Sequence, residues 1–128
     1  MYDDILSEIK TYFTDRIQKC VEAGISKEKI IIDPGIGFGK SGENNINLLK
    51  NIKWLKTIHS NVCIGSSNKR YSSQLFKHIQ TKEDLRIANL ATFATSTFYG
   101  VTYLRVHDVG LTKDTVLVIN KAVELEQS

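Results

Sequence analysis

The sequence predicts an α/β fold built on parallel strands, and three observations carry that prediction. Apolar residues recur at helical spacing in four separate stretches, short apolar runs lie between those stretches, and each run stops at a glycine or a polar cluster. Strands that alternate with helices at a repeat of roughly 30 to 40 residues specify right-handed βαβ crossovers and a parallel sheet.

Each element follows from its own pattern. Over residues 3–23, Ile5, Ile9, Phe13, Ile17 and Val21 recur every fourth position, with Leu6 and Cys20 widening the stripe; this is an amphipathic helix, and Gly24 ends it. Ile30, Ile31 and Ile32 form a β-branched run with no polar alternation, stopped by Pro34 and Gly35, which reads as a buried parallel strand. Asn44 or Asn45 is expected to cap a second helix bearing Ile46, Leu49, Ile52, Leu55 and Ile58. Val62, Cys63 and Ile64 make a second short strand. After a brief segment over 71–78, residues 83–98 read as a helix with Leu85, Leu90, Phe93 and Ala94 on its buried side. Gly100 interrupts, 101–106 forms a third strand, and 113–125 a last helix with Val116, Leu117, Asn120 and Val123 on overlapping faces.

Composition narrows the class. A chain of 128 residues with 41% hydrophobic residues fits one domain spanning 1–128. The 17 basic and 14 acidic residues are scattered, with no run of five or six like charges, so the net charge of +3 gives no nucleic-acid arm. Cys20 and Cys63 have no partner at metal or redox spacing and read as buried free thiols of a reducing, cytoplasmic protein. No apolar run approaches the ~18 residues of a membrane span, which predicts neither a membrane nor a nucleic-acid partner.

In parallel α/β folds, functional groups collect where strands end. The first strand runs into Asp33-Pro34-Gly35-Ile36-Gly37-Phe38-Gly39-Lys40, the second into Gly65-Ser66-Ser67-Asn68-Lys69-Arg70, and the third into Arg105-Val106-His107-Asp108. Gly39-Lys40-Ser41 matches the end of a phosphate-binding loop, but the required first glycine falls on Pro34, which has no N–H to offer. Ser66 and Lys69 match S-x-x-K without the other motifs of the penicillin-binding serine enzymes. Turn chemistry alone accounts for the serines, and a solvated basic turn for Lys69 and Arg70. Strand alternation puts Arg105 and His107 on one side; they suit either an internal ion pair, with Asp33 or Asp108, or an oxyanion site.

Taken in order, the three clusters resemble the motifs D-P-G-[FI]-G-F-G-K, G-x-S-R-K and R-V-H-D-V of dihydropteroate synthase, from that family's fifth helix to its last. The resemblance implies a partial (β/α)₈ TIM barrel of about three βα units with a leading helix. It implies condensation of 6-hydroxymethyl-7,8-dihydropterin pyrophosphate with p-aminobenzoate, with Mg²⁺ on the diphosphate and the direct metal ligand in a half that this chain lacks. By the same resemblance Asp33, Lys69 and Arg105 bind the pterin, Phe38 and Ser67 the p-aminobenzoate, and Arg105 with His107 the diphosphate; Lys69, Arg105 and His107 are the catalytic set. Asn68 stands where the family has arginine, Asn44 where it has histidine, and Asn89-Leu90 where a small pair is usual. A barrel takes eight strands and about 250 residues, so an N-terminal-half chain or a homodimer is the expected partner. A non-catalytic half-barrel is the alternative, and a pterin-binding methyltransferase domain a third reading that fits R-V-H-D-V less well.

Overall fold

The structure, a computed structural model, describes residues 2–37, 41–65 and 71–127. In chain order these form α1 (Tyr2–Glu22), α2 (Gly42–Lys50), α3 (Ile52–Ile58), β1 (Cys63–Gly65), α4 (Tyr71–Leu75), α5 (Lys82–Phe98), β2 (Tyr103–Arg105) and α6 (Val109–Gln127), with one 3₁₀ turn at Lys27–Lys29. β1 and β2 pair in parallel, with Cys63 opposite Tyr103, Ile64 opposite Leu104 and Gly65 opposite Arg105. Ile32 extends this sheet by a single parallel bridge to Val62, made by the Ile32 N–H donating to Asn61 O and the Cys63 N–H donating to Ile32 O. In space the order is therefore the Ile32 segment, then β1, then β2, so that segments consecutive in sequence are neighbours in the sheet.

The isoleucine run is a correction to the sequence reading. Only Ile32 is buried, Ile30 is half-buried, and Ile31 is 49% exposed. A strand pairs along its length where neighbours flank it; here the segment meets β1 on one side only, at one residue. Side chains assist that junction: His59 Nε2 lies 2.6 Å from Ile30 O, and a carbonyl can only accept, so Nε2 carries the proton.

Two further readings change. Neither Asn44 nor Asn45 caps the second helix. Ser41 does, its hydroxyl accepting from the Asn44 N–H. That helix is also two helices, α2 and α3, interrupted at Asn51, whose side-chain amide donates to Asn47 O. The break lets Leu48, Leu49, Ile52 and Leu55 all be buried, whereas Ile46 is partly exposed.

The core forms on one side of the sheet. Ile64 is fully buried with Ile36, Leu48, Leu49, Ile52 and Tyr71, and Ile32, Val62 and Leu55 form a second cluster against Ile9, Phe13 and Ile17 of α1. α5 presents hydroxyls to this interior rather than the predicted apolar stripe. Thr92, Ser96 and Thr97 are buried with Phe93, while Leu85, Leu90 and Ala94 are only half-buried. Each hydroxyl donates to the carbonyl four residues back, so none is left unsatisfied. In α6 only Thr112 is buried; Val116 and Val123 are half-buried, and Leu117 and Asn120 are exposed. Cys20 and Cys63 form no disulfide and are half-buried rather than buried. No helix among the described residues is long and apolar enough to cross a membrane.

Candidate functional site

Asp33 follows directly on the bridging Ile32, and its position is fixed by a local turn: Oδ1 accepts from the Gly35 N–H at 2.8 Å. Gly35 and Gly37 take φ of 73° and 89°, a region in which a Cβ is costly, so the loop can curl only with glycine at these points. Asn45, fully buried in α2, braces the turn. Its Oδ1 accepts from the Gly37 N–H at 2.7 Å while its Nδ2 donates to Ser41 O at 2.9 Å. The sequence reading treated Asn45 only as a cap; no apolar periodicity could mark an amide that serves a loop eight residues away.

Arg105 ends β2, and its Nη1 lies 3.2 Å from Asp33 Oδ2. Asp108, the other acid weighed as its partner, is engaged elsewhere: it sits before α6, where Oδ1 accepts from the Leu111 N–H and the backbone oxygen from the Thr112 N–H. Asp33 and Arg105 are thus brought together from strand ends 72 positions apart (105 − 33). His107 is not aligned with Arg105 by strand alternation, because the strand stops at Arg105 and His107 lies on a bend. It lines a crevice of about 290 Å³ between α5 and α6 with Lys82, Arg86, Asn89 and Asp108, over a floor that includes Leu85 and Phe93. Phe38, Ser67 and Lys69 lie outside the described residues.

A larger cavity, about 640 Å³, lies away from this rim between α2, α4 and α5. It is lined mainly by apolar groups such as Ile46, Phe76 and Ile87 and, among the described residues, by none of the motif residues. At its edge the Thr92 hydroxyl is spent on Ala88 O, so the Tyr71 hydroxyl is the donor in the Tyr71–Thr92 hydrogen bond. Burial pushes the Tyr71 phenol above its ordinary pKa, with the Thr92 contact opposing. Among the described residues no three His, Cys, Asp or Glu side chains converge as metal ligands. Both Asp33 oxygens are engaged by other partners, so these carboxylates do not by themselves fit the octahedral oxygen set of Mg²⁺.

A match to the family described as pterin binding enzyme covers residues 1–107. The chain belongs to the pterin-binding enzymes. Within that family its relatives are dihydropteroate synthases. The Escherichia coli K12 enzyme is 32% identical over 127 residues, 99% of this chain and 44% of that protein. Among solved structures, dihydropteroate synthase from Xanthomonas albilineans in complex with 7,8-dihydropteroate superposes with a TM-score of 0.85 at 35% identity, over 97% of this chain and 48% of that one. The Yersinia pestis enzyme in a sulfonamide drug complex gives 0.86 at 30%, over 98% and 45%. The chain therefore spans about half the length of the relatives it matches. Its fold is the corresponding part of their (β/α)₈ barrel, as the motifs predict. Of the expected pterin-binding residues, Asp33 and Arg105 meet at the strand ends of this part.

Proposed function

We propose that this chain supplies half of a dihydropteroate synthase site of folate biosynthesis, and that an N-terminal-half chain, or failing that a second copy, completes it. The observation that carries the reading is the meeting of Asp33 and Arg105 at adjoining strand ends, where parallel α/β folds collect their chemistry. Asp33, fixed by Gly35, presents a carboxylate to a donor–donor edge such as that of the pterin ring. Arg105 offers a planar fork to an anion and stabilises charge as diphosphate departs and the arylamine nitrogen of p-aminobenzoate bonds to the pterin methylene carbon. Lys69 adds a donor to the pterin, Phe38 and Ser67 receive the p-aminobenzoate, and His107 joins Arg105 on the diphosphate. Mg²⁺, held by the completing half, would neutralise diphosphate charge. Two cysteines that form no disulfide support a cytoplasmic setting.

The test mixes the purified chain with the N-terminal half of the Escherichia coli enzyme and follows 7,8-dihydropteroate formation. The chain alone is expected to be inactive, because groups that act as a unit fail together. The mixture is expected to turn over, and Asp33→Asn or Arg105→Ala should lower its rate by about 10²-fold or more. Failure of both the chain and the mixture to bind pterin pyrophosphate overturns the reading.

A further inference from the structure

We infer that Gly65 is a positioning residue: the bare backbone at the end of β1 is the lane through which the Arg105 guanidinium reaches Asp33. Asp33 and Arg105 do not lie on neighbouring strands. β1 runs between the Ile32 segment and β2, so two inter-strand spacings, about 9 to 10 Å at about 4.8 Å each, separate their backbones. An arginine can bridge that gap only by lying across the middle strand. The residue it crosses is its own partner in register, Gly65.

The crossing is close. A Cβ at Gly65 would stand 2.1 Å from Arg105 Nη2, 2.6 Å from Cζ and 3.0 Å from Nε, so the nearest atoms are the guanidinium itself, lying on the backbone. Gly65 is not among the glycines with positive φ, so its backbone geometry is open to any residue, and the three atoms nearest an added Cβ all belong to Arg105. The obstructing atoms belong to the far end of a flexible side chain. Gly65→Ala should therefore leave the sheet folded and swing the guanidinium away from Asp33. The functional weight of this lane rests on the pterin-site reading above, since Asp33 and Arg105 matter there as a matched pair; the lane itself does not.

The test needs no pterin, so it can fail or succeed independently of that reading. In the intact chain, NMR should show contacts between the Gly65 Hα protons and the Arg105 side chain, and Asp33→Asn should shift the Arg105 Nε–H resonance. In Gly65→Ala, with the rest of the amide spectrum retained, Asp33→Asn should no longer shift it, a loss that a merely structural glycine would not produce. An unchanged response of Arg105 in Gly65→Ala overturns the inference. Should Gly65→Ala fail to fold, Gly65→Ala combined with Arg105→Ala decides: recovery of the fold supports the steric lane, and failure of both variants shows that Gly65 is needed for another reason and overturns it.

Discussion

Ile64 and Tyr103 sit on paired strands, one step apart in register, yet Ile64 is fully buried and Tyr103 is 47% exposed. The side that carries Ile64 and Val62 is packed under α1, α2 and α3. Ile31, Cys63 and Tyr103 alternate away from those residues, and none of the three is buried. Period-two alternation places adjacent residues on opposite faces, so the contrast separates a finished face from an open one. It teaches that this chain holds one complete layer of packing, whereas a closed barrel fills its inner side with side chains from strands around the whole circle.

The contrast breaks most readily at its largest effect. Ile64→Ala should cost about 2 to 5 kcal/mol in urea unfolding, as buried isoleucine truncations do, while Tyr103→Ala should stay within about 0.5 kcal/mol. Equal losses would mean that the open face is already packed in the isolated chain. On the helical side, Tyr71→Phe removes the donor to Thr92 but leaves the Thr92–Ala88 bond, so a loss of about 1 kcal/mol is expected. The Tyr71 phenol is raised above its ordinary value of 10.0 by burial. Its contribution is therefore complete below that pH and lost as pH climbs through the folded-state value. An alkaline titration of stability should flatten in Tyr71→Phe; an identical alkaline limb in both proteins would sever the buried phenol from the effect.

The start of α5 supplies a smaller test in acid. Thr81 and Asp84 form a reciprocal capping box, and the backbone N–H groups of Gln80 and Thr81, followed by the Thr81 hydroxyl, hold the Asp84 carboxyl below its ordinary pKa. A depressed carboxyl contributes stability that is present above its unfolded pKa and lost as pH falls through the folded one. Asp84→Asn should make the acid limb shallower, and an unchanged limb would discount the box. Smallest of all, Arg105→Ala should alter stability by no more than about 1 kcal/mol, because its side chain is 64% exposed and solvent screens the pair with Asp33. A larger loss would place the open face's polar pair among the structural supports of the fold.

The sequence disclosed those features that depend on period and punctuation. Ile9, Phe13 and Ile17 lie on the packed side of α1 as their spacing requires, and helices alternate with strands as read, except that the first strand is a single bridge and the second helix is two. It misled where tertiary context decides. Ile30 to Ile32 carry strand propensity on every residue, yet among the described residues they pair by one bridge, at Ile32. α5 buries Thr92, Ser96 and Thr97, residues that look solvent-facing until their bonds to the helix backbone are counted. Of the site, the pairing of Arg105 with Asp33 was one of two open options in the sequence. The bend that takes His107 off the strand and the lane at Gly65 were not visible, since neither follows from residue type.

The guanidinium resting on Asp33 has one more consequence under the proposed function. A guanidinium presents N–H donors on either side of a planar carbon, and the ring N–H and amino group of a pterin present the same array. Arg105 Nη1, at Asp33 Oδ2, thus stands where one donor of the ligand's own edge would stand. Arrival of the pterin at Asp33 Oδ2 becomes an exchange of one donor for another, with little net gain in hydrogen bonding at that oxygen. What the exchange releases is a cation, set free beside the bound ring at the moment a diphosphate comes within reach.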